Sequence, residues 1–159
     1  MKRMFWTSVA LAFAALGTAA CGPTQEQAAA DPEGPEGIAV QNGRLMLPPV
    51  AGNPGAVYFD VINSGDSDTM IRAASVQGAQ SAELHQMGTW NLQPSMEEVF
   101  QIGVPAGETL SFEPGGLHVM ANELADTVVP GSSVEVTLTF VGGDKISFPA
   151  EVRAAGEDR

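Results

Sequence analysis

Two histidines, His85 and His118, each stand two residues before a methionine, Met87 and Met120. They are the only histidines in the chain. Both pairs fall in strand-like segments, where side chains two residues apart point to the same face, about 7 Å apart along the backbone. Each pair therefore presents an imidazole beside a flexible thioether, and Met96 adds a further sulfur in a third strand-like segment.

These residue types favour a soft metal ion. Thioether sulfur is soft and uncharged, so a His and Met set without thiolate or carboxylate suits Cu(I) better than zinc, iron or magnesium. The single cysteine, Cys21, precedes the domain, which argues against a blue-copper electron-transfer site and against thiolate zinc or iron–sulfur clusters. No Ser-His-Asp set is recognisable, so hydrolysis is not expected. A lone Met or His more often packs than binds a metal, so a β-domain that binds no metal remains an alternative.

The spacing of four of these residues carries a family resemblance. His85, Met96, His118 and Met120 are separated by ten, twenty-one and one residues. This resembles the H(M)-x10-M-x21-H-x-M signature of the PCuAC family of periplasmic copper chaperones. Four further segments are similar to that family and extend the resemblance over about residues 38–153: 82–85, 104–107, 114–120 and 136–140.

The resemblance implies a cupredoxin-like Greek-key β-sandwich that binds one Cu(I) ion through those four residues, with Met87 as a further candidate ligand. It implies a carrier with no enzymatic activity. It also implies a copper-accepting partner, notably cytochrome c oxidase subunit II with its CuA centre, or a Sco-type protein. A copper buffer without a dedicated recipient, or a metal-free lipid-tethered interaction module, remains an alternative.

Three neighbours of the motif each have two possible roles. Trp90 either shields a metal from water or packs. Glu97 and Glu98 form either a docking patch for a basic partner or a solvated strand edge.

Short apolar or alternating runs punctuated by Gly and Pro predict the elements that position the motif. Seven to nine short strands at this spacing indicate an all-β sandwich or small barrel, with a helical turn near 122–125 as the only helical candidate. The predicted strands are 55–63, 70–76, 82–87, 96–104, 109–112, 117–121, 134–141 and 145–152.

The first twenty residues read as a secretory signal, because Lys2 and Arg3 precede an apolar run over 9–16 and then small residues. The run is too short for a spanning helix. Cleavage before Cys21 resembles a bacterial lipoprotein signal, in which that cysteine carries the lipid. Ordinary signal cleavage near Ala20 is the alternative. Either outcome exports the protein, and we expect a periplasmic domain held at the membrane through the lipid anchor only.

Composition separates a tether from the domain and limits the partners. Residues 21–37 contain no large apolar side chain and predict a disordered tether, whereas 154–159 form a short polar tail. The domain between them spans 38–153. A net charge of −12 makes binding to nucleic acid unlikely, since phosphate contacts come mostly from Lys and Arg.

Overall fold

Alternation of apolar and polar side chains gives this protein strands with one buried face. In Gly55–Asn63 every second residue is buried, and Ser133–Phe140 and Lys145–Arg153 follow the same period of two. A computed structural model describes residues 34–157, and within that range there are ten strands and no helix. The predicted signal peptide, Cys21, most of the tether and the last two residues lie outside the described part of the chain.

The strands are numbered in chain order. They are β1 (Ile38–Met46), β2 (Gly55–Asn63), β3 (Thr69–Val76), β4 (Ser81–Trp90), β5 (Gln93–Glu98), β6 (Ile102–Val104), β7 (Thr109–Phe112), β8 (Leu117–Asn122), β9 (Ser133–Phe140) and β10 (Lys145–Arg153).

The all-β prediction is confirmed, and the strand count of ten exceeds the predicted seven to nine. Strand β1 was not predicted, because its register shifts between Gln41 and Arg44 and breaks the alternation. The predicted strand 96–104 is two strands, β5 and β6, which pair with different neighbours. The helical turn suggested near 122–125 was wrong, since β8 runs through Asn122 and bends and turns follow it.

The ten strands are hydrogen-bonded in one continuous order, β5-β4-β8-β7-β2-β1-β10-β9-β3-β6. Most neighbours are antiparallel, but β1 pairs with β10 in parallel through residues 44–46 and 151–153, and β7 pairs with β8 in parallel at Phe112 and Leu117. Strand β3 also contacts β4 and β8, although these are distant in the sheet order. The sheet therefore folds over itself, and the buried faces of its two halves meet as a sandwich.

The core lies between those faces and supports the strands that bear the motif. Phe59 of β2 stacks on Phe112 of β7 with ring centroids 4.2 Å apart, and contacts Phe148 of β10 at 5.0 Å. Leu84 of β4 and Val119 of β8 are buried in the same cluster. Because these two residues alternate with the motif residues, they hold β4 and β8 against the core while the opposite face carries the motif. No helix in residues 34–157 is long and apolar enough to cross a membrane.

Candidate metal centre

Strand register brings the two histidines together. Strands β4 and β8 pair antiparallel with His85 directly opposite His118, and the two ring centroids are 5.8 Å apart. Both residues are buried, with 9 % and 6 % of their surface exposed. Two imidazoles separated by 32 residues of sequence thus share one small region on the face turned away from the core.

His118 has its two ring nitrogens in different roles. Nδ1 lies 3.2 Å from the carbonyl oxygen of Gly116, which only accepts, so Nδ1 carries the proton in the neutral ring. Nε2 is then the lone-pair nitrogen, and it lies 3.3 Å from the sulfur of Met96. A lone pair therefore faces a thioether sulfur with no hydrogen between them.

That nitrogen–sulfur separation matches two ligands of one metal ion. Metal–nitrogen and metal–sulfur distances of about 2.0 and 2.3 Å at a tetrahedral angle put the two ligand atoms about 3.5 Å apart. The 3.3 Å between His118 Nε2 and Met96 Sδ is close to this span. The pair fits a soft cation better than it fits a hydrogen bond, because sulfur is a weak acceptor and Nε2 has no proton to donate.

Burial keeps His118 in this neutral form. Desolvation lowers the pKa of His118 below 6.5, the hydrogen bond to Gly116 opposes that shift, and the nearby His85 adds to it. The ring is therefore a ready ligand at neutral pH, since metals bind the unprotonated nitrogen.

His85 leaves a nitrogen without any partner. Its Nε2 lies 3.3 Å from a carboxylate oxygen of Glu83, which is two residues earlier on the same face of β4. Its Nδ1 is the only buried side-chain nitrogen or oxygen in the described residues that makes no hydrogen bond. Buried polar atoms are rarely left unpaired, so this atom is a candidate metal ligand.

The remaining sulfurs lie on the same face. Met87 pairs directly with Met96 across the β4–β5 hairpin, so these two thioethers are cross-strand neighbours. Met120 follows His118 by two residues on β8 and stands opposite Glu83 and Ala56 rather than opposite a histidine. Register thus places Met87 and Met96 beside the imidazole pair, with Met120 two residues along β8 from His118.

Thioethers are needed to complete a metal site here. No group of three or more His, Cys, Asp and Glu side chains positioned to hold a metal occurs in the described residues. The two imidazoles with the adjacent sulfurs supply a neutral, mixed nitrogen and sulfur set. Such a set suits Cu(I), as the sequence predicts.

Two residues beside the site were not identified from the sequence. Glu83 contacts His85, and the strand period of two was the signal that would have revealed it. Tyr58 of β2 lies with its ring centroid 6.4 Å from that of His118, and the guanidinium carbon of Arg44 sits 5.1 Å above the Tyr58 ring. No local pattern could reveal Tyr58, because its position depends on the pairing of β2 with β8.

Solved structures resemble this chain over most of its length. The copper-bound PCuAC domain from PmoF2 matches with a TM-score of 0.61 and 21% identity, covering 74% of this chain and 93% of that domain. Apo-DR1885 from Deinococcus radiodurans matches with a TM-score of 0.60 and 24% identity, covering 98% and 100%. The CuI form of DR1885 matches with a TM-score of 0.57 and 25% identity, covering 77% and 80%. The fold is therefore that of the PCuAC domains, which confirms the predicted cupredoxin-like β-sandwich.

Sequence comparison identifies the family. Residues 38–152 match the model of the family described as "Putative lipoprotein LpqE-like". A protein of Leifsonia xyli subsp. xyli (strain CTCB07), named "Putative lipoprotein Lxx21020", is 31% identical over 117 residues, which span 73% of this chain and 70% of that protein. The chain belongs to the LpqE-like family.

Proposed function

We propose that this protein is an exported Cu(I) carrier that holds one ion and passes it on by ligand exchange. The observation that supports this best is the lone-pair contact of 3.3 Å between His118 Nε2 and Met96 Sδ. The His85 ring, whose Nδ1 has no hydrogen-bond partner among the described residues, lies 5.8 Å from the His118 ring. The structural neighbours include copper-bound and CuI forms, which agrees with this proposal.

The proposed ligands are His85, Met96, His118 and Met120, with Met87 as an additional or alternate sulfur. The two imidazoles are buried, whereas 46 % of Met96 is exposed. A buried half of the site retains the ion and an exposed thioether is open to an incoming ligand, which is the combination that a carrier needs. The role is carriage rather than catalysis.

We propose a membrane metalloenzyme as the destination, namely the CuA centre of cytochrome c oxidase through subunit II or a Sco-type protein. The family resemblance suggests this recipient. A deletion strain of the source organism tests it: oxidase assembly should fall at limiting copper and recover when copper is supplied in excess. Unchanged oxidase assembly at limiting copper would instead favour a copper buffer.

Competition for Cu(I) tests the binding itself. The full-length protein is titrated with Cu(I) against bicinchoninate, and the Met96→Ala/Met120→Ala variant is compared with wild type. We expect the variant to lose the ion to the chelator at least tenfold more readily. Met70→Ala is the matched control, because Met70 lies on β3 and is also exposed, and it should behave as wild type. Equal competition by wild type and the double variant would refute the proposed site.

A further inference from the structure

Exposed apolar side chains are concentrated on the β4–β5 hairpin and just after it. Eight large hydrophobic residues are exposed in the described part of the chain, and four of them lie between positions 90 and 100. They are Trp90 at 70 %, Leu92 at 93 %, Met96 at 46 % and Phe100 at 76 % exposed. Clustering of this kind is typical of a surface that another molecule covers.

The hairpin projects beyond the rest of the sheet. Pairing of β4 with β8 ends at Gln86, and the Met87 N–H makes one more bond, to the Gly116 carbonyl oxygen at 3.1 Å. Beyond that point β4 pairs with β5 alone, through the pair of Trp90 with Gln93. Trp90 and Leu92, here termed the hairpin tip, therefore stand where the sheet offers them no further strand to pack on.

The turn at the hairpin tip bears an unfavourable residue. Asn91 and Leu92 have φ values of 50° and 63°, the left-handed pair that a two-residue hairpin turn usually fills with Asn-Gly. Asparagine tolerates this region but leucine does not, so Leu92 adds backbone strain. Because the Leu92 side chain is almost fully exposed, no packing against residues 34–157 offsets that strain.

Acidic side chains follow Met96 on β5, at the end of the strand away from the tip. Glu97 and Glu98 are exposed on β5, which is the edge strand of the sheet. No lysine or arginine occurs anywhere from residue 73 to residue 144. A surface that covers both the tip and Met96 by complementarity is therefore apolar at the tip and basic where it faces Glu97 and Glu98.

We propose that the hairpin tip is the docking element for the protein that receives copper, and that this recipient presents an apolar pocket with basic side chains on the side that faces Glu97 and Glu98. This rests on the proposed function. Met96 lies about 13 Å along the strand from Leu92, whereas a standard interface of about 800 Å² per partner is about 30 Å across. A recipient seated on Trp90 and Leu92 therefore also covers the exposed Met96, and docking brings its ligands to the copper.

Two other occupants fit the charges less well. A second copy of this chain would bring its own Glu97 and Glu98 against the same acids. An anionic lipid surface would be repelled by those acids and by the net charge of −12. Crosslinking from the tip distinguishes a second copy and a lipid surface from a recipient protein.

The first stage of the test identifies what covers the tip. The full-length chain is expressed in its source organism with a photoreactive phenylalanine analogue in place of Leu92, and in a control chain in place of Val141, which is exposed in another turn. We expect the analogue at position 92 to capture one exported protein that the analogue at position 141 does not capture. Capture of only lipid, only a second copy, or nothing beyond the control would overturn the proposal.

The second stage measures transfer to the captured protein after its purification. Trp90→Thr/Leu92→Gly removes the tip side chains, and glycine suits the positive φ at position 92. We expect this variant to transfer Cu(I) to that protein at least tenfold more slowly than wild type, while both release Cu(I) to bicinchoninate equally. Val129→Thr/Val141→Thr, at two other exposed sites, should match wild type. Equal transfer by wild type and the tip variant would refute only the docking proposal. Failure of the wild-type protein to hold Cu(I) would refute the proposed function on which that proposal rests.

Discussion

The protonation state of His118 decides whether its Nε2 can bind a metal ion. Its Nδ1–H is fixed on the Gly116 carbonyl, and its Nε2 lone pair points at Met96. Burial lowers its pKa, so the ring stays neutral at a pH where an exposed histidine is already partly protonated. The nitrogen proposed to bind copper is thus unprotonated over a wider pH range than that of an ordinary imidazole.

The lowered pKa predicts how the apo-protein responds to acid. The unfolded chain takes up a proton on this histidine near pH 6.5, whereas the folded chain does so only at lower pH. His118 therefore costs no stability above pH 6.5, and stability falls as pH drops from 6.5 towards the lowered pKa. NMR titration of the apo-protein should give His118 a pKa below 6.5. A value at or above 6.5 would contradict this account.

Glu83 should strengthen the hold on a cation. Its carboxylate lies 3.3 Å from His85 and, since 42 % of the side chain is exposed, solvent screens much of its charge. We expect Glu83→Gln to weaken Cu(I) binding about two- to fivefold, the range typical of a screened charge interaction. Competition with bicinchoninate measures it, and Glu108→Gln, an exposed acid after β6, should have no effect. Unchanged binding in Glu83→Gln would show that the carboxylate does not act on the ion.

At the level of single residues, the sequence predicts a set of candidate ligands but not how their side chains meet. Residue type and spacing predicted His85, Met96, His118 and Met120. The direct pairing of His85 with His118 required the register of β4 on β8, which no local pattern encodes.

Among the elements, the end of β2 depends on one buried amide. Asn63 is 1 % exposed, and its Nδ2 donates to the carbonyl oxygens of Ser67 and Val104 at 2.9 and 3.0 Å. Its Oδ1 accepts from the Gly65 N–H at 3.0 Å. The side chain therefore ties strand β2 to the turn that follows it and to β6.

Loss of that amide should destabilise the fold. We expect Asn63→Ala to lower the free energy of unfolding by about 2–3 kcal/mol, because buried backbone groups lose their partners. Urea unfolding measures this, with the exposed Asn53→Ala as a control that should change stability by less than about 0.5 kcal/mol. A similar small change in both variants would contradict the structural role of Asn63.

The elements were largely predictable where alternation is unbroken. Strands β2 and β7 have the predicted bounds, because apolar residues alternate between clear turn signals. Strand β1 was not predicted because its register shift breaks the alternation of apolar and polar residues. Strands β5 and β6 were predicted as one strand because the short, exposed β5 has no regularly spaced buried residues to mark it. Such strands are defined by their partners in the sheet rather than by their own composition.

For the whole molecule, the sandwich holds the site at one end of the sheet, on β4, β5 and β8. The likeness to PCuAC domains and membership of the LpqE-like family agree with that arrangement. Composition could indicate a β-sandwich, but the strand order, with β1 and β10 parallel, depends on contacts between residues more than 100 positions apart.

The predicted lipid anchor at Cys21, which lies outside the described residues, would determine where the whole molecule resides. We expect the wild-type chain to incorporate radiolabelled palmitate and to sediment with membranes, and Cys21→Ser to do neither, because the lipid supplies the membrane affinity. Cell fractionation measures this, and Cu(I) binding by the purified variant serves as the control and should be unchanged. An unlabelled wild-type chain in the soluble exported fraction would indicate ordinary signal cleavage instead.

X-ray absorption at the copper edge tests most directly whether imidazoles and thioethers share one ion. For the fully loaded wild-type protein, the account predicts Cu(I) with nitrogen scatterers near 2.0 Å and sulfur scatterers near 2.3 Å. The sulfur contribution should fall in Met96→Ala and stay constant in Met70→Ala. A copper environment of nitrogen and oxygen alone, or a sulfur signal that Met96→Ala leaves unchanged, would contradict the proposed centre.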